Sequence, residues 1–310
     1  MLHIITDDLP FAGRLVGTGK DFEWEPFRLP EKNQIFSQVF EKIFLGRPVF
    51  HFYLSAHGIW QELWLVKHSS KSQFDILIDA MRARAVIPEF LLCASGGGSS
   101  CRGFKGRSWN AVEGNLHLVA HSRMNEHIAG FESGCMALPA VAVSETLESV
   151  EVLRNRIAIK WVNDILVDGD KISGVLAHTH AIGQRLNSLV LGIGVNILGT
   201  PDVTRDPVSP RVATLKDLAP SYSWSEKEIL FGILDRLSLW QNILKEHGSS
   251  SLIEAYIQKS AVIGRNVAVA LDDCEKNWIK GKVLGIGKNL ELLLDSSSKP
   301  INRGRLLFLD

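Results

Sequence analysis

The sequence predicts an α/β (α+β) protein, with a mixed central sheet flanked by helices and a small C-terminal β-barrel. Three observations carry that expectation. From about Trp60 onward, segments with the two-residue alternation of strands take turns with segments of helical period. Hydrophobic residues make up 45% of the 310 and charged residues 22%, which suits a folded chain with a large core and excludes a disordered one. Beyond residue 259 the text breaks into short strands separated by Gly, Asn and Ser, the pattern of a small all-β unit.

The elements follow in order. Residues 1–60 hold FEWEPFRLP and VFEKIFLGRPVFHFYL but no helix-turn-helix pattern; they are expected to be an N-terminal extension packed on the next domain. QELWLVKH alternates as a strand, FDILIDAMRARA has helical period, and VIPEFLLCA reads as a buried strand after Pro88. A Gly/Ser-rich loop, ASGGGSSCRGFKGRSW, precedes the strand GNLHLVAHSR and a long apolar helix from about Gly134 to Leu153. RIAIKWVNDILVDGDKISGVLAHTHA reads as a β-hairpin turning at Asp168-Gly169, because Asp-Gly supplies the positive φ angles of a tight hairpin turn. NSLVLGIGVNI is a further strand. Ser225 and Glu228 form a capping box that opens the helix ILFGILDRLSLWQNILKEHG, and a shorter helix, SLIEAYIQKS, follows. GRNVAVAL, WIKGKVLGIG, LELLLD and RGRLLFLD are the strands of the last unit. The expected divisions are 1–60, 61–258 and 259–310.

Charge and cysteine usage exclude several classes. Lys+Arg and Asp+Glu are both 34, so no global basic field argues for a nucleic-acid partner. Cys93, Cys101, Cys135 and Cys274 form no CxxC pair, which argues against a zinc site or a disulfide framework and for the reduced thiols of a cytoplasmic protein. The N-terminus has acids where a signal peptide carries bases, and no apolar run is long enough to span a bilayer, so no membrane role is expected.

Two segments carry chemistry. CRGFKGRSW gathers Arg102, Lys105 and Arg107 with Gly103 and Gly106. Glycines allow close backbone approach, exposed N–H groups form anion nests, and Arg and Lys add charge for phosphate; Trp109 at the edge could pack on an adenine. A plain basic surface loop is the alternative reading. It is neither a Walker A loop nor a Rossmann fingerprint, since GxxxxGK[ST] is absent and a strand follows. In IAIKWVNDILVDGDKISGVL, Lys160 lies within a β-branched strand, where a buried ammonium calls for a carboxylate or phosphate partner. Asn163 and Asp164 could bind a hydroxyl, an ammonium or Mg²⁺, and Gly174 within a strand suggests close approach by a neighbour. The alternative is a Lys160 that snorkels to solvent and an Asp164 that begins a turn.

Together these segments resemble the biotin protein ligases of the biotin/lipoate protein ligase superfamily. CRGFKGRSW is similar to that family's basic nucleotide loop, GNLHL to its GNLY-like strand, KWVNDILVDGDKISGVL to its KWPND…KxxGIL segment and GIGVNI to its GIGxNV strand. The terminal unit looks like its small SH3-like domain. The resemblance covers roughly Trp60 to Asp310. It implies an enzyme that uses ATP and Mg²⁺ to form biotinyl-5'-AMP from biotin and passes the biotin to a lysine of a biotin carboxyl carrier protein. It implies that Arg102, Lys105 and Arg107 hold phosphates, with Gly103 and Gly106 in the same loop. Lys160 would bind the carboxylate and α-phosphate. Trp109 would pack near adenine, while Asn163, Asp164 and Asn196 place nucleotide and Mg²⁺. Gly114, Asn115 and Gly174 would shape the pocket. A homodimer paired through sheet edges is an assembly the resemblance admits. The chain departs from the pattern at Phe104, where the family usually has a second Arg, and at Val162, where it has Pro. Its Ser-Thr-Asn element is Ser-Lys-Ser, with Ser70 and Ser72 outermost. A lipoate or octanoate ligase on the same fold, hinted at by SGGG from Ser95 to Gly98, and an idle biotin-binding homologue remain the alternatives.

Overall fold

The computed structural model describes residues 1–19, 22–29, 34–55, 57–103, 106–127, 131–203, 209–271 and 278–309, with backbone alone at 34–37. Lys105, Phe104 and Cys274 lie outside the described residues. A ten-stranded mixed sheet and a separate four-stranded antiparallel sheet organise the chain. The large sheet contains β1 (Leu2–Thr6), β2 (Glu25–Phe27), β3 (Val49–Leu54), β4 (Glu62–Val66), β5 (Phe90–Ser95), β6 (Leu116–His127), β7 (Ile157–Lys160), β8 (Asp164–Val167), β9 (Asp170–Ile182) and β10 (Arg185–Val195), in the order β2-β3-β1-β4-β5-β6-β10-β9-β8-β7. β1, β4 and β5 run parallel; the remaining pairings are antiparallel.

The N-terminal residues are strands of this sheet. β1 pairs with both β3 and β4, so the line drawn at residue 60 falls between two strands of one sheet. Its strands are short and flanked by turn formers, which hid the period-2 signal.

Both faces are covered. α1 (Leu9–Val16), α4 (Glu132–Glu148), α6 (Glu226–His247) and α7 (Ser250–Gln258) share one hydrophobic cluster with one face. α2 (Gln34–Phe44) and α3 (Gln73–Arg82) share a second with the other. A four-residue α5 (Leu215–Leu218) follows the loop after β10. α4 is buried all round, against the sheet and under α6 and α7, which is why its sequence is apolar without a polar stripe. Ser225 caps α6 through the Glu228 N–H at 3.3 Å, as the sequence predicts.

The lysine segment holds two turns, where the sequence reading had one. β7 turns through Trp161–Asn163 into β8, and β8 turns through Asp168-Gly169 into β9. The second turn has φ of 51° and 89° at its two residues, the geometry for which Asp-Gly is selected. The first carries none of the usual turn residue pairs; its Trp161–Val162 peptide is cis.

The C-terminal sheet contains β11 (Asn266–Ala270), β12 (Trp278–Ile286), β13 (Leu292–Leu294) and β14 (Arg305–Phe308), ordered β13-β12-β11-β14. Its inner residues Val267, Val269, Val283, Leu292 and Leu306 join the first hydrophobic cluster. Trp161 crosses to it and donates from Nε1 to the Leu290 carbonyl at 2.7 Å. The small sheet is therefore fastened to the turn that follows Lys160.

Candidate binding cleft

One cross-strand row joins the motifs. From β4 to β7, the directly opposed residues are Val66, Ser95, His117, Gly194, Gly174, Asp164 and Lys160. Opposed residues point to the same face of a sheet, so segments 100 residues apart in sequence put these groups on one surface. That surface floors an open cleft of about 870 Å³, a volume that includes the solvent at its mouth. α3 and residues 101–103 and 107–109 form its sides.

The two glycines in the row have a steric reason. A Cβ at Gly194 would lie 2.2 Å from the Trp109 indole, and one at Gly174 would lie 3.2 Å from it. The indole thus rests on bare backbone at the centre of the row. Its Nε1–H donates to His117 Nδ1 at 3.1 Å, and His117 Nε2–H donates to the Val112 carbonyl at 3.0 Å. Burial pushes the His117 pKa down to about 4, so the ring is neutral and keeps the Nδ1 lone pair that Trp109 needs.

The positive charges come from three regions. Lys160 is 5% exposed. Burial lowers its pKa to about 8; Asp164 pulls it back up, while Lys171, Arg305 and Arg107 push it further down. Lys171 Nζ lies 2.6 Å from Asp164 Oδ1. Among the described residues, Asp164 is the acid whose charge acts on Lys160, and Lys171 already holds it. Arg102 at the loop is 47% exposed and bonds Asp75 in the first turn of α3 at 2.5 Å. The loop folds back through Trp109 N–H to the Cys101 carbonyl at 2.8 Å and Gly103 N–H to the Arg107 carbonyl at 2.6 Å.

Of the expected site residues, Arg102, Gly103, Arg107, Trp109, Asn163, Gly174 and Ser72 line the cleft. Lys160 and Asp164 stand at the end of the row, just past the lining side chains. The other placements differ from expectation. Ser70 is exposed and its neighbour Ser69, 4% exposed, lines the cleft instead, because the chain bridges Gly98 through Ser69. Asn115 is spent on structure: its Oδ1 accepts the N–H groups of Ile197, Leu198 and Gly199 at 2.8, 3.1 and 3.0 Å. Gly114 sits at φ 85° with Leu198 and Gly199 behind it, so both serve the loop after β10. Asn196 is buried and donates to the Ala213 carbonyl at 3.3 Å. Gly106, at φ 76°, has open space around it. Lys105 lies outside the described residues. Sequence reasoning gave no site role to Lys171, His117, Gln73 or Arg305. His117 was findable, two residues from Asn115 on an alternating strand; Arg305, on β14, gave no signal at all.

Asp164, the carboxylate expected to help place Mg²⁺, is paired with Lys171, and among the described residues no group of three or more His, Cys, Asp or Glu side chains is placed to hold a metal ion. No helix among the described residues is long and apolar enough to cross a membrane.

Known proteins are similar to this chain in sequence and in fold. Residues 102–196 match the model of the biotin/lipoate A/B protein ligase family. The biotin--[acetyl-CoA-carboxylase] ligase of Paracoccus denitrificans is 26% identical over 190 residues, 57% of this chain and 74% of that protein. The bifunctional ligase/repressor BirA of Bacillus subtilis (strain 168) is 28% identical over 220 residues, 68% of this chain and 63% of that protein; the chain therefore spans under two thirds of that relative. Among solved structures, the biotin protein ligase from Aquifex aeolicus in complex with biotin and ATP has a TM-score of 0.62 at 22% identity, over 79% of this chain and 97% of that one, a likeness of fold.

Proposed function

We propose, for a chain whose residues 102–196 match the model of the biotin/lipoate A/B protein ligase family, that it joins biotin to a lysine of a biotin carboxyl carrier domain at the expense of ATP. The observation that carries the reading is the single row that ends in Lys160 and passes under Trp109, with Arg102 and Arg107 on the facing loop. A buried ammonium among further cations suits a ligand that brings several negative charges, as a carboxylate meeting a triphosphate does.

In this reading the biotin carboxylate attacks the α-phosphorus of ATP, the α–β phosphoanhydride bond breaks, and pyrophosphate leaves. Lys160 and Lys171 hold the joining oxygens and offset the charge that builds there. Arg102 and Arg107 hold the phosphate chain. The apolar walls, Phe74, Val119 and Leu176, receive the aliphatic part of the acid and exclude water that would hydrolyse the mixed anhydride. The carrier lysine then attacks the acyl carbon and AMP leaves. Mg²⁺ arriving on ATP is part of the substrate.

The test is direct. Purified protein is incubated with ATP, biotin and a carrier domain, with lipoate and octanoate as competitors, and the carrier is weighed by mass spectrometry. Biotinylation that the competitors leave unchanged is expected. Acylation by lipoate or octanoate instead would move the chain to the other branch of the superfamily; no modification and no pyrophosphate release would defeat the ligase reading.

A further inference from the structure

Residues 1–54 meet the cleft from behind. β1, β4 and β5 are parallel, so their C-terminal ends share one edge of the sheet, the edge at which ligands gather in parallel sheets. The segments that leave β4 and β5 there supply Ser69, Ser72, Arg102 and Gly103 to the cleft. β1 delivers Asp7 to the same edge. Its carboxylate, 2% exposed, accepts the Lys67 N–H at 2.8 Å and meets Arg47 Nη1 at 2.5 Å. Arg47 in turn donates to the carbonyls of Phe44 at 2.8 Å, Ile43 at 3.2 Å and His68 at 3.4 Å. The Phe11 ring fills the space over Gly96, where a Cβ would lie 3.1 Å from it. Arg14 of α1 and Lys67 share Glu113 Oε1 at 2.8 and 2.7 Å. From Lys67 the ladder runs on, with Ser69 N–H to the Gly97 carbonyl at 3.0 Å and Ser99 N–H to the Ser69 carbonyl at 2.9 Å.

We infer that the N-terminal segment is a positioning element of the cleft: the Asp7–Arg47 pair and Phe11 fix the serine-bearing wall, although no described side chain of residues 1–54 lines the cavity. Asp7 is the joint. It satisfies a backbone N–H on the wall and a guanidinium that reaches the next carbonyl, so its removal strands both groups. A wall held this way acts on ligand binding rather than on the bond-making step, because its contacts are present before and after the reaction.

The test uses the full chain with Asp7→Ala and Asp7→Asn, read two ways. Amide hydrogen exchange at Lys67 and Ser69 is measured without ligand, and KM and kcat for the acid well below each variant's Tm. Asp7→Ala is expected to speed exchange at both amides by at least about tenfold and to raise KM by about tenfold with kcat within about twofold. Asp7→Asn keeps an acceptor for the Lys67 N–H and should fall between. Should Asp7→Ala not fold, Asp7→Asn and Arg47→Gln carry the same test. Unchanged exchange at Lys67 and Ser69, or a lowered Tm with unaltered KM, overturns the inference. The kinetic arm rests on the ligase reading; if the wild-type chain has no acid-dependent turnover, that reading fails and exchange alone decides the positioning role.

Discussion

The two charged sides of the cleft are built on opposite plans. Lys160 is 5% exposed on a strand, its register fixed by neighbours on β8, and its charge is disfavoured by burial and by three other cations. Arg102 is 47% exposed on a loop, with its charge met by Asp75. The strand side is preorganised at a cost in stability; the loop side is satisfied when empty and must trade Asp75 for a ligand. On the proposed reading, affinity for an anion would be stored in the strand, while the loop would govern how long the anion stays.

The largest expected effect is at Lys160. Lys160→Met should abolish adenylate formation and also stabilise the fold by on the order of 1–3 kcal/mol near pH 7, because it removes a charge held under desolvation; thermal melts and pyrophosphate release measure the two. The pH dependence has a definite sign. The folded pKa of about 8 lies below the ordinary 10.5. The unfolded chain therefore holds the extra proton between those values, and wild-type stability rises with pH across that window. kcat/KM should fall as pH climbs through about 8, where the free protein loses the ammonium. A variant that melts lower than wild type, or a flat profile from pH 7 to 9, would break the strand half of the contrast.

The next effect is at the centre of the row. Gly194→Ala puts a methyl 2.2 Å from the indole of Trp109, so Trp109 must move; a loss of about 1–3 kcal/mol is expected, with a change in tryptophan fluorescence and weaker nucleotide binding. Gly174→Ala, at 3.2 Å, should cost less. Equal effects would mean that the indole does not rest there.

The smallest effect is at the loop. Arg102→Ala should leave folding stability within about 0.5 kcal/mol of wild type, since exposed ion pairs contribute little, yet shorten the lifetime of bound adenylate by several-fold, on the order of 1 kcal/mol, because the loop would close poorly. An unchanged lifetime would remove the loop's part in the contrast.

Much of this was legible in the sequence where local chemistry dictates structure. Asp168-Gly169 marked its turn, Ser225 its helix cap, and Gly174 a place where something presses on a strand. What presses is Trp109, which sequence distance concealed. The row itself was hidden, because register between strands far apart in the chain follows from core packing and not from any one segment. The turn after Lys160 was missed because Trp161-Val162-Asn163 contains none of the usual turn pairs and reads as a continuation of the strand. Asn115 shows the reverse: a polar residue in a telling motif whose side chain the fold spends on its own backbone. Arg305 reaches Lys160's surroundings only because the small sheet docks on Trp161, a tertiary fact with no local trace.

The most direct measurement is the nucleotide that the protein retains. After incubation with biotin and ATP and rapid desalting, native mass spectrometry should find biotinyl-5'-AMP on the wild-type chain and none on folded Lys160→Met. Equal retention by both, or free ATP and biotin with no joined species on the wild type, would contradict an account in which the buried strand amine grips the joined anion.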